Sequence, residues 1–134
     1  MIKELATAIY SKYNVDAVAG GVKASTSGLF PDEAPSGTDA PYITYSFIST
    51  GQDWSFDSDY DDPLIQFSIW DDAASALVAE TIGGKLVTLY ADQLLTVDGF
   101  TTVRADKVGE HLLPDPDGGW QYIVELRYLV QNTG

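Results

Sequence analysis

The stretch from Pro63 to Tyr90 constrains the fold most, because it joins a strand pattern directly to a helix pattern. From Leu64 to Trp70, β-forming side chains alternate with the period of two that is typical of a half-buried strand. Apolar residues then recur at three- and four-residue steps, which predicts one helix with a single apolar stripe. That stripe consists of Ala74, Leu77, Val78, Ile82, Leu86, Leu89 and Tyr90.

Two pairs of residues mark the start and the middle of this helix. Asp71 and Asp72 follow the strand, and either carboxylate can cap a helix by accepting a hydrogen bond from an unpaired amide of the first turn. Gly83 and Gly84 fall inside the helix, where each costs roughly 1 kcal/mol relative to alanine. We expect them to allow a close approach of the helix to the sheet, and a kink at the pair is the alternative.

Length and composition indicate a globular chain. The 134 residues suffice for one domain, spanning 1–134, and 45% of them are hydrophobic. The absence of cysteine excludes disulfides, thiolate catalysis and zinc–sulfur sites, and fits a reducing compartment. No apolar run reaches the 18 or so residues of a membrane span. Residues 1–13 carry charged side chains, so we interpret them as a helix rather than a signal peptide.

The charge is strongly negative. Twenty acidic residues oppose seven basic ones, giving a formal net charge of −13. Binding to a phosphate backbone or to anionic lipid needs clustered lysine and arginine, so we predict no sequence-specific nucleic-acid binding and no membrane partner. The simplest role of the charge is solubility.

The rest of the chain supplies one more helix and several strands. The predicted elements are a helix at 2–13 ended by Asn14, a short strand at 17–22, a long loop at 25–40, and strands at 41–49, 100–108 and 120–130. The last strand alternates most cleanly, and Pro114–Gly119 is a strong turn signal before it. We predict an α+β fold, with an antiparallel sheet of four to five strands and two helices packed on one face.

No catalytic signature is present. His111 is the single histidine, so Ser-His-Asp chemistry would have to run through it, and no motif surrounds it. We interpret it as structural or solvent-facing. The sequence therefore predicts neither an enzyme nor a cofactor.

The acidic segment 51–63 offers a weak metal site. Asp57, Asp59 and Asp61 have the one–three–five spacing that opens a calcium loop. The pattern then fails, because the sixth position is Asp62 instead of glycine and the twelfth is Ser68 instead of glutamate. A solvated acidic loop is the default interpretation, and a weak divalent-cation site is the alternative.

Aromatic residues interleave with these acids. Trp54, Phe56 and Tyr60 form a candidate contact patch for another subunit or a partner, and Trp70 is a further candidate contact residue. Aromatic side chains are enriched at interfaces, which supports that interpretation. The alternative is that they pack back on the domain.

The order of these features resembles the small tail-completion, or tail-terminator, proteins of long-tailed bacteriophages and related contractile particles. The resemblance covers nearly the whole chain. It rests on a short first helix, a loop leading to Pro41-Tyr42-Ile43, a strand ending in Phe67-Ser68-Ile69-Trp70-Asp71, a helix ending in Lys85-Leu86-Val87-Thr88-Leu89-Tyr90, and a closing hairpin that ends in Tyr122 to Tyr128. The long aspartate-rich segment 51–63 departs from the pattern.

The resemblance implies a structural protein of the virion. Such proteins assemble as rings, commonly hexamers, that cap the tail tube and join it to the head connector. The implied partners are further copies of the chain, the tail tube protein and a connector or neck protein. The implied place is the tail–neck junction, after synthesis in the host cytoplasm. Two alternatives stay open at this point: a neck or head–tail adaptor, and a small acidic metal- or ligand-binding α+β domain.

Overall fold

The computed structural model describes residues 2–14, 21–52, 60–91, 95–97, 99–116 and 118–132. Within them the helices and strands follow one another in an α+β order. The elements are α1 (Ile2–Asn14), α2 (Val22–Ser25), β1 (Leu29–Pro31), β2 (Tyr42–Gln52), β3 (Tyr60–Asp71), α3 (Leu77–Tyr90), β4 (Thr96–Val97), β5 (Phe100–Pro114) and β6 (Trp120–Asn132).

The strands form one sheet in the order β1-β2-β3-β6-β5-β4. Every pair is antiparallel except β1–β2, which is parallel. The predicted α+β class is confirmed, but the sheet is mixed and has six strands in the described part of the chain. The extra strand β1 lies in the predicted loop 25–40, because Leu29 is buried and its backbone pairs beside Ile43.

The helices α1 and α3 pack on one face of the sheet, as predicted. Their buried side chains join those of β2, β3 and β6 in a single core. Tyr90 of α3 connects all the layers: its ring stacks on Phe67 at a centroid distance of 5.0 Å, and its hydroxyl donates to the Ile9 carbonyl at 2.8 Å. The hydroxyl of Tyr128 donates in turn to the Tyr90 carbonyl at 3.2 Å. These two buried tyrosine hydroxyls therefore link α1, α3 and β6 by hydrogen bonds.

The start of α3 differs from the prediction. Asp71 stays in β3, where it pairs with Trp120, so the strand continues past the predicted cap. The helix begins at Leu77 after Ala76, and neither predicted aspartate caps it; the Leu77 amide donates instead to Ser75 Oγ at 3.2 Å. Because the helix starts later, its buried face shifts: Leu77 is 67% exposed and Val78 is 44% exposed. The observed buried stripe is Ala79, Ile82, Gly83, Leu86 and Tyr90.

The two glycines of α3 have different surroundings. Gly83 is buried against the Tyr122 ring, and an added Cβ would overlap the ring carbons. Gly84 is exposed, and no atom lies within 4 Å of the position its Cβ would take. The helix runs through both without a break. Close approach to the sheet is therefore confirmed for Gly83, and the alternative of a break at the pair is not observed.

Other predicted bounds were partly right. The first helix matches, ending at Asn14. The predicted strand at 17–22 is wrong at its end, where Val22 begins α2, and its first part lies outside the described residues. The strands β2, β3 and β5 are all longer than predicted.

The turn between β5 and β6 forms where the sequence predicts it. The amide of Asp115 donates to the Gly119 carbonyl at 3.0 Å, and that of Gly118 donates to the Asp115 carbonyl at 2.9 Å. Gly118 and Gly119 have φ values of 101° and 88°, which lie in the left-handed region that favours glycine.

Candidate subunit and partner interface

The outer side of β5 is an open sheet edge. Strand β4 pairs only with Phe100 and Thr101, so residues 102–114 have no outer strand partner within the part of the chain that the structure describes. Most of their side chains are exposed. Unpaired backbone donors and acceptors on such an edge can form a ladder with another strand. We call the outer side of residues 102–109 the β5 edge.

A second open edge lies on the opposite side of the sheet. Strand β1 covers β2 only at residues 43–45, so the outer side of residues 46–52 has no partner strand among the described residues. We call it the β2 edge. The sheet therefore offers two surfaces of the same chemical kind, one at each side.

Exposed apolar residues stand at the irregular positions of both edges. The strand register shifts between Phe47 and Ser49, between Thr102 and Arg104, and between Lys107 and Gly109. The residues skipped at these bulges are Ile48, Val103 and Val108, which are 54%, 45% and 50% exposed. Solvated edges usually carry charges or proline at such places, whereas β-branched apolar residues are typical of a surface that another chain covers.

The open face of the sheet, opposite the helices, carries the predicted contact residue Trp70. Its side chain is half-buried, and its indole N–H donates to Thr44 Oγ1 at 3.0 Å. Its ring stacks on the Tyr42 ring, with 6.5 Å between the ring centroids. These residues and the loop 32–38 line a cavity of about 340 Å³. Trp70 is thus held in place by its own chain and presents only part of its ring.

Tyr60 begins β3 and Trp70 lies ten residues further along the same strand, so these two predicted contact residues are not brought together. Trp54 and Phe56 lie outside the described residues, as do Asp57 and Asp59. Tyr60 begins β3 and Asp61 follows it, but only their backbone is described. Among the described residues, no group of three His, Asp or Glu side chains is placed to hold a metal. The patch and the weak cation site both stay predictions.

Ion pairs on the open face are exposed. His111 Nε2 lies 3.4 Å from Glu125 Oε1, and its side chain is 56% accessible, so the histidine is solvent-facing as predicted. Arg127 Nε lies 3.5 Å from Asp62 Oδ1. Exposed pairs of this kind contribute up to about 1 kcal/mol to stability.

The buried phenols serve packing and hydrogen bonding. Burial raises the pKa of Tyr128 and, with the charge of Asp32, that of Tyr45. Burial, together with the charge of Glu110 and its hydrogen bond, raises the pKa of Tyr122. These hydroxyls therefore stay protonated at neutral pH, and that of Tyr128 donates to the Tyr90 carbonyl.

The sequence matches one family model over residues 3–131, and the description of that family is tail completion protein gp17. The chain belongs to the tail completion protein gp17 family. Membership gives it a structural role in tail completion, as the resemblance predicted. No curated protein sequence matches the chain significantly.

Two solved structures share the fold. One is a chain of the virion of the native gene transfer agent particle, with a TM-score of 0.77, 16% identity, and coverage of 93% of this chain and 92% of that chain. The other is the bacteriophage SPP1 gp17 protein, with a TM-score of 0.60, 18% identity, and coverage of 100% of this chain and 95% of that chain. Within the described residues, no helix has the length and apolar character that a membrane crossing requires.

Proposed function

We propose that this protein forms a ring, a hexamer, that caps the finished tail tube and joins it to the head connector. Membership of the tail completion family over residues 3–131 carries this proposal. The whole chain acts as one domain in that ring, without catalysis, at the tail–neck junction of the particle.

The two open edges support a ring. A ring repeats one contact between two different surfaces until it closes, so each copy needs one surface on each side. The β2 edge and the β5 edge lie on opposite sides of the sheet. Both carry exposed apolar residues that water would otherwise contact.

The charge supports passage of DNA through the ring. Each copy carries a net charge of −13, and an acidic lumen repels phosphates, so the genome crosses without sticking. The same charge opposes assembly, because copies repel one another. Salt screens that repulsion over a Debye length of roughly 10 Å at 0.1 M, so association strengthens as salt rises from low to moderate concentration.

The aromatic patch is the proposed partner surface. By sequence the patch consists of Trp54, Phe56 and Tyr60. Tyr60 begins β3, whereas Trp70, held beside Tyr42 on the open face, lies ten residues further along the strand and is a separate contact residue. Aromatic anchors of this kind supply a large share of binding energy at interfaces. We assign to this patch the contact with the tube protein or the connector.

Light scattering and tube binding test this function together. The purified protein, 14.5 kDa per copy, is measured at low and moderate salt, alone and with tail tubes that lack a terminal cap. We expect a species of six copies, in solution or on the tubes, and binding at tube ends. Binding to purified connectors but not to tubes would make the protein a neck adaptor. Binding to neither would remove the proposed role.

A further inference from the structure

We infer that the ring closes head to tail by sheet continuation, with the β5 edge of one copy pairing with the β2 edge of the next. The partner at each edge is a second copy of this chain. This inference rests on the proposed ring and names the surfaces that build it. Four observations support it. The two edges lie at the same height in the sheet, and their strands run in opposite directions. Their bulges carry exposed apolar residues, and their charges differ.

The two edges lie at the same level of the sheet. Following the register across the strands, Phe47 pairs beside Ile65, Ile65 beside Leu126, and Leu126 beside Lys107. Gln52 is likewise level with Thr102, through Asp61 and Val130. The open part of β2 therefore stands directly across the sheet from the open part of β5. Copies placed side by side at one height bring these two stretches together.

The strand directions also match. The pairs β2–β3, β3–β6 and β6–β5 are all antiparallel, so β2 and β5 run in opposite directions. Rotation about an axis along the strands keeps the direction of every strand. The β5 strand of one copy then meets the β2 strand of the next in antiparallel orientation, and the ladder continues across the subunit boundary.

The bulges suit a closed ring. Ile48 on one edge and Val103 and Val108 on the other are exposed, and pairing of the edges places these apolar groups between copies. Bulged strands also bend and twist more than regular ones. Because β2 and β5 are both bulged, the continuing sheet curves and can close.

Charge favours contact between unlike edges. No lysine or arginine occurs between Lys23 and Lys85, and Asp32 lies at the β2 edge, where it accepts a hydrogen bond from Ser46 at 3.1 Å. The β5 edge carries Arg104 and Lys107 against one acid, Asp106, and is therefore weakly positive. Arg104 pairs with Asp106 at 2.7 Å, and Lys107 pairs with Glu110 at 3.2 Å. Two β2 edges would bring acid against acid, whereas a β5 edge brings positive groups beside the acidic one.

Paired cysteines test the contact, because the chain has no natural cysteine. Within one copy, residues 48 and 108 lie three strands apart, about 14 Å, which is beyond the roughly 7 Å that a disulfide spans between Cα atoms. The double variants are Ile48→Cys/Val108→Cys and Ile48→Cys/Val103→Cys. We expect mild oxidation to give a ladder of disulfide-linked multimers for at least one of them. The variant that gives the ladder identifies the register between the paired edges of neighbouring copies.

Three controls define the outcome. Each single-cysteine variant should give no product longer than a dimer, and Leu77→Cys/Val108→Cys, whose first residue is exposed on α3, should give no ladder. Efficient dimers from Val108→Cys or Ile48→Cys alone would show that like edges pair, which overturns the inference. So would the lack of any ladder in both double variants while the wild type forms six-copy species, and the proposed ring would then stand on another contact.

A charge on the edge gives an independent measurement. Val108→Lys should weaken self-association about tenfold or more at moderate salt, because it replaces an apolar side chain that the contact would bury with a charged one. The matched control is Leu77→Lys, which adds the same charge at a residue away from both edges. Equal association of Val108→Lys and wild type would count against the contact. A wild type that stays monomeric both in solution and on tubes would remove the proposed function itself.

Discussion

The two faces of the sheet are built from the same strands and have opposite chemistry. On the face under the helices, Ile65, Phe67 and Ile69 of β3 have no accessible surface, and their neighbours on β2 and β6 are equally apolar. On the open face, the alternate residues of the same strands are mostly polar. Gln121 Nε2 donates to Ser68 Oγ at 3.1 Å, and Trp70 donates to Thr44. The first face holds the fold together, and the second is available for contacts.

Removing one large aromatic ring from each face should give the largest difference in unfolding free energy between the two faces. Tyr90→Ala removes the stacking on Phe67 and the bond to the Ile9 carbonyl, and leaves a cavity between helix and sheet. We expect a loss of about 3–5 kcal/mol in unfolding free energy. Tyr42→Ala, on the open face, should lose about 1–2 kcal/mol, mainly its stacking on Trp70. Urea denaturation measures both, and equal losses would contradict the contrast between the faces.

Adjacent glycines sharpen the same comparison on one helix. Gly83→Ala should destabilise by about 1–3 kcal/mol, because its methyl group overlaps the Tyr122 ring on the covered face. Gly84→Ala should stabilise by up to about 1 kcal/mol, because the methyl group meets no atom and alanine favours the helix. Thermal unfolding of the two variants reports the sign. A stabilised Gly83→Ala would mean that the helix does not pack closely on β6.

High pH should loosen the covered face. Burial raises the pKa of Tyr128, so its neutral form stabilises the fold fully below the unfolded pKa of about 10. That stability is lost as pH rises from there towards the folded pKa, by about 1.4 kcal/mol for each pH unit. Tyr128→Phe should therefore make the fall of unfolding free energy at alkaline pH shallower. At neutral pH the same variant should lose about 1 kcal/mol of stability, because it removes the hydrogen bond to the Tyr90 carbonyl. Unfolding free energies between pH 8 and 11 or so check this. Equal slopes in the two proteins would argue against a buried neutral phenol.

Alternation was the most informative signal in the sequence. The pattern at 120–130 predicted β6, and the Asp-Gly turn predicted its hairpin, because both depend on local chemistry. The buried face of α3 was shifted, because pairing with Trp120 holds Asp71 in the sheet and delays the helix. Strand β1 was missed because three residues in a Ser-, Gly- and Pro-rich stretch carry no period of their own.

The candidate interface was harder to foresee than the fold. The bulges at Val103 and Val108 interrupt the alternation of β5, which is why its predicted end fell near residue 108. Whether a strand lies at an edge depends on the order of the whole sheet, and no local pattern encodes that order. Two valines, each next to one basic residue, were the available signal in the sequence: Val103 before Arg104 and Val108 after Lys107.

The two long hairpins close at opposite ends of the sheet. The turn 115–119 lies beside Asp71, at the end of β3, whereas the chain passes from β2 to β3 at the far end, between Gln52 and Tyr60. In the proposed ring, with the strands running along its axis, all the turns between β5 and β6 lie at one rim, and all the ends of β2 and starts of β3 lie at the other. Such a ring has an up and a down. In the proposed assembly, a tube end and a connector would meet different rims, so the ring would join them in one orientation only.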